Sequence, residues 1–177
     1  MMFMALAIGA VAQKQEKRAF DPDQLSSISI PDDWKLVPDE ERMIPKKPRN
    51  LAVSCEYTTE DKSRVILMVV KKEGFVEGQK EISSPDFAKS LVQGLVEVAD
   101  AVAIRDGGFG KMGGLKSANL HVIQSKDKVL LETYISVSQD ESHLYAIIGA
   151  YHVSDYRRRG REILEMIQSF QLSEAVE

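Results

Sequence analysis

Residues 115–151 read LKSANLHVIQSKDKVLLETYISVSQDESHLYAIIGAY. Period two runs through the whole stretch. Ala118, Leu120 and Val122 form one alternating row, and Val129, Leu131, Thr133, Ile135 and Val137 a second. Leu144, Ala146, Ile148 and Ala150 form a third, with Tyr145, Ile147 and Tyr151 on the opposite face. Successive side chains on a strand point to opposite faces, so each row is one side of a β-strand. The polar segments 125–128 and 139–142 suit tight reversals, which makes the three strands an antiparallel meander.

Working outward, Ser154 and Asp155 open a helix whose apolar stripe is Ile163, Leu164, Ile167 and Phe170. On the other side, Ser84 reads as an N-cap with Pro85 at the first helical position. Phe87, Leu91, Leu95 and Val98 then recur at helical spacing, predicting an amphipathic helix of about four turns over 84–98. Residues 51–58 alternate, with Leu51, Val53, Cys55 and Tyr57 on one face. Val65 to Val70 is a continuous apolar run, the mark of a strand covered on both faces. The short turn between them pairs 51–58 with 64–72 as a hairpin. Short strands are also expected at 27–30 and 34–37, joined by the turn Pro31-Asp32-Asp33, with Trp34 and Leu36 on one face. Segment 38–50 holds three prolines and seven charged side chains and reads as a loop. The expected fold class is α+β: an antiparallel β-sheet meander flanked by two amphipathic helices, an α/β/α sandwich.

The chain has 177 residues, 44% hydrophobic and 28% charged, which suits one domain able to fold without metal or disulfide. Its net charge of −4 lacks the basic excess of nucleic-acid binders, so no nucleic-acid partner is expected. A single cysteine, Cys55, rules out an intramolecular disulfide and a multi-cysteine metal site.

Residues 1–12, MMFMALAIGAVA, carry no charge and run into the polar QKQEKRAFDPD. Twelve residues rise only about 18 Å as a helix, too short for a bilayer core. Ala10-Val11-Ala12 is an A-x-A pattern, so the stretch is expected to be a signal peptide cleaved near Gln13. The protein is then periplasmic or extracellular. The alternative is a frayed N-terminal element of a cytoplasmic protein. Segment 13–24 is expected to be flexible, 25–172 to form the single domain, and 173–177 a tail.

The run Ile28-Ser29-Ile30-Pro31-Asp32-Asp33-Trp34 resembles the opening of the PsbP-like superfamily. Gly113 to Leu120 is similar to that family's glycine-led entry to the central strand. Tyr145 to Tyr151, followed by the 155–170 helix ending in Ser169-Phe170, resembles its closing strand and helix. The resemblance covers about 25–172. It implies a role in docking or assembly and no shared catalytic residue set. Neither a photosystem-specific nor a Ran-specific signature is present.

Gly108-Phe109-Gly110-Lys111-Met112-Gly113 matches G-x-G-x-x-G, but a strand pattern follows where a dinucleotide site needs a helix. A glycine-rich hairpin or bulge is the better reading. His121, His143 and His152 lack metal-ligand spacing, and no cofactor or metal is expected. Cys55 lies on an apolar strand face and reads as an inert buried thiol. Trp34 reads as a core anchor.

Arg157, Arg158, Arg159 and Arg161 stand out. Four positive charges at the start of a helix repel one another and oppose its dipole. Together with Lys46, Lys47 and Arg49 they are the candidate docking residues for a protein partner with an acidic surface, or for anionic membrane headgroups. The alternative is a solvated face neutralised by Asp155, Glu162 and Glu165. The expected function is a non-catalytic exported accessory protein that docks onto a partner. The alternative is a small-molecule or lipid-binding module with a pocket between sheet and helix; an enzyme is the weakest reading.

Overall fold

A computed structural model describes residues 17–20, 24–41, 51–71, 93 and 99–173. The three alternating rows are the strands β7 (Leu115–Lys126), β8 (Val129–Gln139) and β9 (His143–His152). They are joined edge to edge as the predicted meander. Ahead of them runs β6 (Ala101–Met112), paired with β7 through a reversal at Gly113 and Gly114. Both glycines have positive φ, 58° and 82°, a region that L side chains avoid. The motif 108–113 is therefore hairpin, as its sequence context indicated. β7 lies one in from the sheet edge, not at the centre.

The hairpin of β4 (Leu51–Thr58) and β5 (Arg64–Lys71) forms as expected and joins the meander through β5 and β9. With β3 (Lys35–Leu36) the large sheet has the order β3-β4-β5-β9-β8-β7-β6 and is antiparallel throughout. A small sheet, β1 (Lys17–Phe20), β2 (Ser26–Ile30) and β10 (Gln171–Leu172), has β2 at its centre.

Four expectations change. Residues 17–20 lie in the segment expected to be flexible, yet they pair with β2, because four residues of compatible alternation meet an open strand edge. Strands 27–30 and 34–37 do not pair with each other; the turn at Pro31–Trp34 carries the chain from the small sheet to the large one. Trp34 is fully buried while Leu36 is exposed, so they do not share a face. The predicted second helix is also shorter. Residues Val153–Asp155 form a 3-10 turn, Tyr156–Gly160 a π turn, and only α1 (Arg161–Gln168) is α-helical. Gly160 sits where an added Cβ would lie 2.8 Å from the Tyr151 hydroxyl, so the chain presses against the sheet there. Of the predicted helix 84–98 only residue 93 is among the described residues, and it is α-helical. Among the described residues the fold is thus mostly β, two antiparallel sheets and one short α-helix.

Both faces of the large sheet are buried. Val65, Leu67, Tyr145, Ile147 and Tyr151 pack under α1 with Ile163, Met166 and Phe170, and Trp34 and Ile28 close that core. Ala118, Leu120, Val122, Ile135, Val137 and Ala146 form a second core on the opposite face. Cys55 is buried on the first face, where its alternation put it.

At Gly149 the helix lies tight against the sheet. A Cβ there would lie 2.3 Å from Ile163 Cγ2 and 3.0 Å from two further Ile163 carbons. Gly149→Ala is expected to cost about 2 kcal/mol by forcing α1 off β9. Chemical denaturation against wild type checks this; an unchanged midpoint would show that Ile163 relaxes freely.

Candidate functional site

The arginine segment divides in two. Arg159 turns inward and is only 3% exposed. Its Nε donates to Asp61 Oδ2 (2.7 Å), and Nη1 donates to Asp33 Oδ2 (2.8 Å) and Glu162 Oε2 (2.7 Å). The guanidinium also stacks 5.6 Å from the Trp34 ring centroid. The indole Nε1 donates to the same Glu162 oxygen (3.0 Å). A buried charge is tolerated only when paired, and a planar fork of donors suits three carboxylates. Burial alone would raise the Asp61 pKa, but hydrogen bonds from Thr59, Ser63 and Arg159 outweigh it and hold the carboxyl well below its ordinary value. Asp33 is lowered too, its burial offset by the hydrogen bond and charge of Arg159 and the charge of Arg158. Arg159 is therefore a clamp that ties the 31–34 turn, the 59–63 turn and α1 together.

The other three arginines are exposed. Arg158 pairs with Asp33 and, at 3.2 Å, with Glu162, and Arg161 pairs with Glu165 at 2.8 Å. Arg157 forms no ion pair among the described residues. Beside it Tyr156 is 49% exposed. The clamp behind them holds this Tyr-Arg-Arg knuckle in place. Lys46, Lys47 and Arg49 lie outside the described residues.

A second cluster sits on the same face, around the Tyr151 hydroxyl that Gly160 presses against. Glu132, 3% exposed, accepts hydrogen bonds from the Tyr151 hydroxyl and from Arg105 Nη1 (2.7 Å). His121 Nε2 lies 3.3 Å from Glu132, and its ring stacks on Tyr134 at 4.0 Å. Burial, reinforced by the hydrogen bond to Glu132, pushes the Tyr151 phenol far up, so it stays a neutral donor. The cluster stitches β6, β7, β8 and β9 together. The alternation of 129–137 marks the apolar Thr133, Ile135 and Val137 row and gives no sign that the row bearing Glu132, Tyr134, Ser136 and Ser138 is covered. The only signal in the sequence was a carboxylate in the middle of an otherwise uncharged strand.

Beside this cluster a groove of about 520 Å³ opens between α1 and the sheet. Asn119, His121, Tyr134 and Ser136 line its floor, with Leu164 and Ile167 along the helix side. A pocket between sheet and helix is what the alternative reading, a binding module, expects. His143 and His152 stand apart from it: His143 Nδ1 is 3.8 Å from Asp140, and His152 Nδ1 bonds Ser154 Oγ at 2.8 Å. Among the described residues no group of three or more His, Cys, Asp or Glu side chains is placed to hold a metal ion.

These features define the class of domain: a PsbP-like fold, an antiparallel sheet with a small sheet and a helix closed over one face. Three solved structures share it. Cyanobacterial PsbP from Synechocystis sp. PCC 6803 superposes with a TM-score of 0.63 at 9% identity, over 93% of this chain and 96% of that one. LpqN of Mycobacterium tuberculosis, involved in cell envelope biogenesis, gives 0.58 at 16% identity over 90% and 91%. The Ran-binding protein Mog1p of Saccharomyces cerevisiae gives 0.58 at 9% identity over 89% and 95%. No protein-family model and no curated relative matches the sequence. At such identities the likeness shows the fold alone. The resemblance read from residues 25–172 holds at that level.

Proposed function

We propose that this protein is a non-catalytic accessory protein that acts after export and docks onto a partner with an acidic surface. The observation that carries the reading is the knuckle Tyr156-Arg157-Arg158. Exposed Tyr and Arg side chains are the residue types that dominate protein interfaces. Here they stand on a segment locked from behind by the buried Arg159 clamp, so little ordering cost remains on binding. Arg157 contributes a positive charge that no described carboxylate neutralises, and Arg158 and Arg161 extend the patch. The fold neighbours support a binding or accessory role, since one is named for binding Ran and another for a part in cell envelope biogenesis. Export rests on the apolar stretch 1–12 and its A-x-A site.

The test is affinity capture of the C-terminally tagged protein from its native envelope fraction, followed by mass spectrometry. A partner recovered in near-equal amount with wild type, and reduced at least tenfold with Arg157→Glu at unchanged melting temperature, supports docking by this surface. Recovery of the protein alone, or capture indifferent to Arg157→Glu, removes it. The groove favours a second reading, a small-molecule binding module. That reading expects a ligand retained in native mass spectrometry and a melting temperature raised when the ligand is added.

A further inference from the structure

The twelve-residue strand β6 is the outer strand of the large sheet among the described residues, and nearly all of it is exposed. A long edge strand offers a row of main-chain donors and acceptors to another strand. Exposed edges are commonly blunted by charge; here the half-exposed Arg105 is engaged by Glu132, and Asp106 and Lys111 are the other charges on the strand. Ile104 and Phe109 are 57% and 58% exposed, the two most exposed large apolar side chains among the described residues.

Five positions separate these two residues, which on a regular strand would put them on opposite faces. The register of β6 against β7 shifts between Ile104 and Asp106, a bulge that inserts one extra residue. Ile104 then opposes Val122 and Phe109 opposes Ala118, both on the same face of β7. Counting the bulged pair as one position, Gly107 lies midway between them.

We propose that the protein self-associates through β6, with two copies pairing antiparallel about a two-fold axis at Gly107 so that the large sheet runs on across both. In that register Ile104 of each copy meets Phe109 of the other, and Ala101 meets Met112, so the strand overlaps along its full length. The bulged residues Arg105 and Asp106 come opposite Gly108 of the other copy. Gly108 is open, with no atom within 4 Å of where its Cβ would be, so the bulge finds room. The Gly107 amide at the axis donates to the exposed Asp106 carboxylate at 2.8 Å, an acceptor that a carbonyl of the second copy replaces. Directly opposed aromatic and β-branched side chains are among the pairs that stabilise antiparallel strands. This self-complementarity singles out a second copy of the chain as the occupant of the edge.

Sedimentation equilibrium of the full chain is expected to show a monomer–dimer equilibrium, with Phe109→Lys raising the dimer dissociation constant at least tenfold. In a Cys55→Ala background, Ile104→Cys mixed with Phe109→Cys is expected to give an oxidised heterodimer, while each cysteine variant alone stays uncrosslinked. A monomer at every concentration, a dimer indifferent to Phe109→Lys, or crosslinking of Ile104→Cys with itself would overturn the proposal. So would β6 amides that gain exchange protection only when an extended peptide is added, since the edge would then belong to a different occupant.

Discussion

Trp34→Ala is expected to lower the unfolding free energy by about 4 kcal/mol, the size of an aromatic-to-alanine truncation in a packed core. Trp34 is fully buried between the 31–34 turn and α1, on the same face as Ile28, Ile163 and Met166. Its ring also faces the Arg159 guanidinium, and its indole nitrogen donates to Glu162. Alanine removes all three contributions and leaves a cavity at the junction of the two sheets. Trp34→Phe separates them: it keeps an aromatic face for Arg159 and loses the N–H donor, for a smaller loss of about 1 kcal/mol from the hydrogen bond. Urea denaturation of both variants measures this. A Trp34→Ala protein within 1 kcal/mol of wild type would show that the indole is not the anchor of this junction.

Arg159→Ala is expected to cost about 3 kcal/mol, at the lower end of what breaking a buried ion pair costs, because Asp33 and Asp61 are partly solvated. For a domain of this length that is about 9 °C in Tm. The loss exceeds the pairing energy itself, since Asp61 is left without its cation and Asp33 and Glu162 keep only the exposed Arg158. Arg159→Lys restores one point charge but not the fork, and should recover only part of the stability. Asp33 and Asp61 both have folded-state pKa values below the ordinary aspartate value of 3.8. Groups lowered in this way stabilise the fold above that value, and the contribution is lost as the pH falls through their folded pKa values. The difference between wild type and Arg159→Ala should therefore be full at neutral pH and shrink in acid below 3.8. A pH-independent difference would mean that Arg159 acts through packing alone. Because Trp34 and Arg159 touch, the double variant should lose less than the two single losses added together.

In the sequence the four arginines are alike. In the folded protein they are not alike: one is a structural clamp, two are paired at the surface, and Arg157 remains. Substituting Arg159 would thus disrupt a partner interaction only by loosening the knuckle, whereas Arg157→Glu tests the surface with the fold intact.

Alternation along 115–151, the 51–71 hairpin and the Gly113–Gly114 reversal were legible in the sequence because they are short-range: strand period and turn chemistry act over a few residues. So was the burial of Cys55 and Trp34, which follows from apolar character. The period of a strand, however, says which side chains share a face, not whether that face is covered. Hence Glu132 and Ser136 were not recognised as buried polar residues, although both are almost fully covered in the fold. Which arginine turns inward was equally beyond local reading. It depends on Asp61 and Asp33, which arrive from 98 and 126 residues away. The sequence by itself determined the meander of β7, β8 and β9, the β4–β5 hairpin and the cluster of charge. Only the tertiary structure decided which charge is consumed in holding the fold and which is left to meet a partner, because a cation goes inward where distant carboxylates gather to offset its lost hydration.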